Sequence, residues 1–304
     1  MDGLMDTFNL IFANPSSQKA TWIAALTEMK ANFALEATNP TLAQMVDRTN
    51  VWRSLYQNEL VPFFYVAFIF YLPFIFLLQK VKLPKTAKYD TAYNLWNLGL
   101  CIFSFWGVYR CVPVLIATIA SKGVVGAILT TEVNEWCTTP IVFFGFSKVA
   151  ELGDTVFVLL RGRKLIFLQY YHHWITMIYC YHSFQHTVPF NGTCAIFTSM
   201  NFCVHSMMYG FYFISGLGVK VPAIFKNIIT FVQFFQMICG FTVIVLATIY
   251  SEWFAKDNFA VFFVFGMYGS YVYLFGQLFF TKAVKGDGAA KKPRSQAGGK
   301  KKKA

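Results

Sequence analysis

Residues 226–250 read KNIITFVQFFQMICGFTVIVLATIY. After Lys226 the run carries no charge, and about 20 consecutive apolar residues suffice for a helix to cross the hydrocarbon of a bilayer. A barrel strand would instead be short and alternate apolar with polar positions; this run is long and continuous. Six more stretches of the same kind lie at roughly 60–79, 93–112, 139–160, 165–187, 192–216 and 259–281. The surrounding composition agrees. The 304-residue chain is 56% hydrophobic, 19% aromatic and only 13% charged, with a mean hydropathy of +0.48. A soluble domain carries about 25% charged residues, so this chain lacks the polar surface to wrap a water-soluble globule. Disordered, collagenous, coiled-coil and disulfide-scaffold classes are excluded on the same grounds. The expected fold is an all-α membrane protein of seven transmembrane helices.

The second run, 93–112, is the weakest. Its apolar pattern continues to Ala120 but contains Arg110 and Pro113, so the span is expected to end near Arg110 and an interfacial stretch to follow. The start, MDGLMDTFNL, lacks a basic region and the first long apolar run begins near Leu60. No cleavable signal peptide is expected, and the first span serves as its own insertion signal. Trp22, Leu26, Met29 and Phe33 recur at helical spacing, an amphipathic stripe that reads as a packed cap helix. The organisation is therefore a lumenal segment with an amphipathic helix (1–59), a seven-span domain (60–282) and a basic cytosolic tail (283–304).

Basic residues collect on the cytoplasmic side of short loops. Eighteen of the 26 lysines and arginines fall after spans 1, 3, 5 and 7, including Arg161, Arg163, Lys164, Lys220 and Lys226. Seven fall on the other side, and Lys148 lies inside a span. That alternation requires seven spans, a lumenal N-terminus and a cytosolic C-terminus. Lys301 and Lys302 sit fourth and third from the end, the spacing of a dilysine retrieval signal read in the cytosol, which points to the endoplasmic reticulum membrane. Asn191-Gly192-Thr193 is a glycosylation sequon on the lumenal side. None of the seven cysteines forms a CxxC pair, so no metal-thiolate site is expected. A lumenal Cys111–Cys137 pair stays open.

Ionisable residues inside a span are costly and mark function. Span 3 carries Lys148, Glu151 and Asp154; Lys148, Glu151 and Thr155 share a helix face with Asp154 on its edge. Such a Lys–Glu spacing also makes an internal salt bridge. Span 4 carries Gln169, His172 and His173, where His173 points about 100° away from the face of Gln169, His172, Thr176 and Tyr179. Span 5 places Asn201, His205 and Tyr209 on one face, and span 6 adds Gln233 and Gln236. At about 1.5 Å rise per residue these groups lie roughly 10–18 Å from the cytosolic ends of their spans. They can meet, and they can be reached from the basic side. Arg161, Arg163, Lys164, Lys220 and Lys226 form a mouth for an anionic ligand. A polar centre, apolar aromatic walls and a cationic entrance suit an acyl chain joined to a polyanionic carrier.

At these residues the chain resembles the ELO family of fatty acid elongases. The resemblance spans roughly 55–282 and rests on KVAELGDT (148–155), QYYHH (169–173), MNFCVHSMMYGFY (200–212) and TFVQFFQM (230–237) in that order. Gln169 replaces the first histidine of the family's usual HxxHH box, while His172 and His173 match the second and third. The glutamine form resembles that of some elongases, several of which act on polyunsaturated chains. The resemblance implies seven transmembrane helices, the last six ringing a closed-ended acyl tunnel. It also implies condensation of a long-chain acyl-CoA with malonyl-CoA to 3-oxoacyl-CoA, CO2 and CoA. The implied setting is membrane lipid, with separate reductases and a dehydratase completing the cycle, no nucleic acid, and homodimerisation left open.

A thioester is already activated, and decarboxylation of malonyl-CoA makes an enolate without a strong base. No cysteine has an activating histidine neighbour in sequence, which favours a histidine nucleophile. The expected route is an acyl-imidazole on His172, with His173 and His205 orienting groups or stabilising the enolate. Lys148, Glu151, Asp154, Gln169, Asn201, Tyr209, Gln233 and Gln236 form the supporting polar site. No bound cofactor and no metal are expected. The rivals are a metal-dependent lipid oxygenase or desaturase, which needs more histidine ligands than the five present, and a non-catalytic seven-span receptor or transporter.

Overall fold

A computed structural model of the chain describes residues 61–81, 87–130, 135–186, 191–251 and 258–285. The stripe from Trp22 to Phe33, and residues 286–304 with Lys301 and Lys302, lie outside the described residues. The regular structure of the described residues is helical. In chain order the helices are α1 (Val61–Lys80), α2 (Ala87–Leu129), α3 (Glu135–Ala150), α4 (Leu152–Leu160), α5 (Phe167–His186), α6 (Gly192–Gly216), α7 (Ala223–Tyr250) and α8 (Asn258–Lys285). Every apolar run read from the sequence is helical. Three of the helices are long and apolar enough to cross a membrane: Lys88–Leu129, Ala223–Tyr250 and Val261–Thr281. The other runs are shorter or diluted by the polar residues that build the site.

The outer surface is apolar. Phe70, Leu77, Leu95, Ile102, Ile249 and Phe262 all project outward, a surface stable against lipid rather than water. A set of polar side chains, among them Lys148, Glu151, Asp154 and His205, is buried within the apolar interior.

The second run behaves differently from the expectation that it ends near Arg110. α2 continues through Pro113 to Leu129, with a kink at Gly123 (φ 72°). The reason lies in the fate of Arg110. It does not mark an interface: its side chain is buried, Nε–H donates to the Trp136 carbonyl at 2.9 Å, and the guanidinium lies 3.7 Å from the centre of the Trp136 ring. With its charge held by α3, the helix has no need to stop there. All seven cysteines are free thiols; Cys111 and Cys137 are buried and carry no disulfide but are hydrogen-bonded to each other, and the Cys137 Sγ lies 3.5 Å from the Arg110 carbonyl.

Successive contacts run α2, α3, α5, α8, α7, α6 and back to α2, with α2 also touching α7 and α3 touching α6, while α1 packs against α4 and α5. Tyr71 of α1 donates to Thr155 Oγ1 at 2.8 Å, and Trp174 of α5 donates to the Phe68 carbonyl at 3.0 Å. The closest backbone approach joins α2 to the start of α6. Gly192 N–H donates to the Thr130 carbonyl at 2.7 Å, and a β-carbon on Gly192 would overlap the Ala127 carbonyl. Asn191 caps this helix, its Oδ1 accepting from Cys194 N–H at 2.8 Å. The sequon asparagine is therefore buried in a cap and is not presented for glycosylation. Gly192→Ala should lower stability by about 1–3 kcal/mol through overpacking. Thermal unfolding in detergent reads this against Gly266→Ala, where a new β-carbon meets nothing within 4 Å; equal melting temperatures for the two variants would refute it.

Candidate active site

The run 139–160 forms two helices, α3 and α4, joined at Glu151. The join stays nearly helical (φ −59°, ψ −18°), with Glu151 N–H donating to the Ser147 carbonyl and Asp154 N–H to the Glu151 carbonyl. It therefore presents Lys148, Glu151, Asp154 and Thr155 to the interior, all buried. Lys148 is 1% exposed. Its ammonium donates to Glu151 Oε1 at 2.6 Å and to Asn201 Oδ1 at 3.1 Å, and lies 4.2 Å from the Phe144 ring centre. An isolated ammonium here would cost several kcal/mol; the carboxylate, the amide and the ring face compensate it. Glu151 Oε1 also accepts from Ser147 Oγ at 3.2 Å.

Helix α6 brings Asn201, His205 and Tyr209 to the same place, as their four-residue spacing requires. His205 Nδ1 lies 3.5 Å from Glu151 Oε1, and His205 Nε2 lies 3.3 Å from Asn201 Nδ2. Tyr209 donates to Asp154 Oδ2 at 2.7 Å.

The two adjacent histidines of α5 part company, as the helical angle between them dictates. His173 turns to the carboxylates, with Nδ1 3.6 Å from Glu151 Oε2 and Nε2 3.8 Å from Asp154 Oδ2. Both separations exceed hydrogen-bond length, so the ring sits between two acceptors with room to close. His172 turns to α8, its ring 4.8 Å from that of Tyr271 and 5.6 Å from that of Phe275. Tyr271 also donates to the His172 carbonyl at 3.2 Å and pairs with Thr176 Oγ1 at 2.8 Å. Gln169 is half-buried on the turn before. Gln236 is buried on α7; Gln233 contacts Met208 Sδ at 3.1 Å. Thus His173, His205, Lys148, Glu151, Asp154, Asn201 and Tyr209 form one hydrogen-bonded and ionic cluster, while His172 faces an aromatic wall beside it.

Residues 56–291 match the ELO family, described as GNS1/SUR4. The chain belongs to the ELO family. It is 35% identical over 216 residues to very long chain fatty acid elongase 4 of Trypanosoma cruzi, covering 65% of this chain and 72% of that protein. Fatty acid elongase 3 of the same organism is 32% identical over 295 residues, covering 86% and 93%. Very long chain fatty acid elongase 6 of Mus musculus is 32% identical over 207 residues, covering 64% and 75%. The activity is fatty acid elongation, carried out as a condensing acyltransferase.

The basic residues expected to receive an anionic ligand are not alike in the structure. Arg163, Lys164, Lys220 and Lys226 are exposed. Arg161 is engaged: Nε–H donates to Asp90 Oδ1 at 2.6 Å and the guanidinium lies 4.2 Å from the Tyr93 ring centre. The chain reverses here because Gly162 takes a left-handed conformation (φ 66°). Gly162 N–H donates to the Leu159 carbonyl and Arg163 N–H to the Val158 carbonyl, the paired bonds of a glycine-terminated helix.

Two neighbours of the site escaped sequence reading. Trp96 Nε1–H donates to Asp154 Oδ1 at 2.6 Å, so Asp154 is held from both sides, by Trp96 and Tyr209. Tyr271 walls His172. Each sits in an aromatic-rich run where one more ring carries no periodic signal.

Proposed function

We propose that this elongase is a seven-span protein of the endoplasmic reticulum membrane, N-terminus lumenal and C-terminus cytosolic, whose last six spans ring an acyl tunnel. It condenses a long-chain acyl-CoA with malonyl-CoA, giving 3-oxoacyl-CoA, CO2 and CoA, with no bound cofactor. The circuit of helix neighbours from α2 to α8, with α1 outside it, supports the ring. Arg163, Lys164, Lys220 and Lys226 receive the CoA phosphates at the cytosolic mouth; Arg161 orders that mouth through Asp90. Reductases and a dehydratase act on the product elsewhere.

The carrying observation is the division of labour between His172 and the cluster. His172 alone among the three site histidines faces apolar aromatic surface, where an acyl chain lies, rather than carboxylate. In the first half-reaction a ring nitrogen of His172 attacks the thioester carbonyl. The carbon–sulfur bond breaks, CoA leaves as thiol with the proton from the imidazole, and an acyl-imidazole remains. Malonyl-CoA then loses CO2, and the electrons of that bond form an enolate. The enolate carbon attacks the acyl carbonyl and the carbon–nitrogen bond breaks; the departing imidazolate takes one proton from water, the proton the decarboxylative condensation consumes overall, and the neutral ring is regenerated. The buried amide, histidine and tyrosine donors stabilise charge in a dry site.

The test is trapping. Incubation with acyl-CoA alone should release CoA and leave one acyl group on the peptide carrying His172, read by intact and peptide mass spectrometry. No adduct, together with sequential kinetics, would replace this route with direct attack of the enolate on the bound thioester.

A further inference from the structure

Four buried side chains close a circuit: Lys148 to Glu151 Oε1, Lys148 to Asn201 Oδ1, Asn201 Nδ2 to His205 Nε2, and His205 Nδ1 back to Glu151 Oε1. The circuit can be hydrogen-bonded in only one sense. An ammonium has donors and no acceptor, so the amide atom facing Lys148 must be the oxygen. The atom facing His205 is then the NH2 group, a donor, and the ring nitrogen it meets must offer a lone pair. The ring proton is left for Nδ1, which faces a carboxylate oxygen.

We infer that Lys148 and Asn201 are positioning residues that fix His205 as the Nδ1–H tautomer, with its Nε2 lone pair held by the Asn201 amide and its ring proton directed at Glu151. This rests on the proposed reaction, in which His205 orients groups at the site, and sets the tautomer in which it does so. The orientation is relayed between two helices: Lys148 on α3 pairs with Glu151 at the α3–α4 join, and Asn201 on α6 carries that orientation one turn along to His205.

Two measurements on the full-length protein in detergent test this. The first is solid-state NMR of 15N-histidine-labelled protein. Only five histidines are present, and the His205 signal is the one lost in His205→Gln. A neutral ring protonated at Nδ1 is expected; a proton on Nε2 overturns the inference without recourse to kinetics. The second compares Asn201→Asp with Asn201→Ala in acyl-CoA-dependent release of labelled CO2 from malonyl-CoA. Aspartate is nearly isosteric and keeps a partner for Lys148, but offers Nε2 an acceptor and so puts a proton there. Asn201→Asp should lose about 100-fold or more in kcat, with the KM for acyl-CoA within a few-fold, while Asn201→Ala loses only about 10-fold. A packing role predicts the opposite ranking, with alanine worse than aspartate; that ranking overturns the inference. Absence of CO2 release from the unaltered protein would instead strike the reaction itself.

Discussion

Lys148→Met should destabilise the folded protein by roughly 3–5 kcal/mol, because it strands a carboxylate that the structure buries. Glu151 is 2% exposed. The lost partner is its shortest contact, the 2.6 Å ion pair, and methionine supplies the volume of the lysine stem but no charge. The surviving donors, Ser147 Oγ at 3.2 Å and His205 Nδ1 at 3.5 Å, are weaker. The double variant Lys148→Met, Glu151→Leu should recover most of that stability, since a buried pair replaced by apolar groups of similar volume is often neutral. It should not recover condensation, because Asn201 and both cluster histidines lose their orienting partners. Thermal unfolding in detergent measures the first effect and malonyl-CoA-dependent CO2 release the second. If the double variant unfolds as readily as the single one, the ion pair is not what holds this part of the core.

Much of this site was legible because its residues lie on regular helices. The spacing of Lys148, Glu151 and Thr155 places them on one face, and the structure joins the first two at 2.6 Å. The angle between His172 and His173 separates their faces, and they do meet different walls: Tyr271 for one, Glu151 and Asp154 for the other. Helical geometry, however, says nothing of which helix lies opposite. Asp154 finds Trp96 across 58 residues of chain, and Arg161 finds Asp90 across 71. Neither pair has a local signature, because the register between two helices is set by packing along their whole length. The same ignorance misplaced the end of α2. A charge in an apolar run reads as an interface until a partner is known, and the partner of Arg110, the Trp136 carbonyl and ring, sits on a different helix.

His172→Ala should abolish condensation, by at least about 10³-fold in kcat, while leaving the fold intact. The ring packs tilted on Tyr271 and edgewise on Phe275 and belongs to none of the ion pairs that hold α3, α4 and α6 together, so removing it opens space without stranding a charge. A modest loss of stability, about 1–3 kcal/mol, is expected from the cavity. His205→Ala provides the contrast, for it removes a group proposed to orient the site rather than to carry the acyl chain. Its turnover should fall by about 10²–10⁴-fold, yet on long incubation with acyl-CoA alone it should still accumulate the adduct on His172. The two variants therefore separate on the adduct even where their steady-state rates resemble each other. An adduct that persists in His172→Ala would move the nucleophile elsewhere in the cluster. One that vanishes in both would make the two histidines a single unit, in which the His172 attack needs His205 in place.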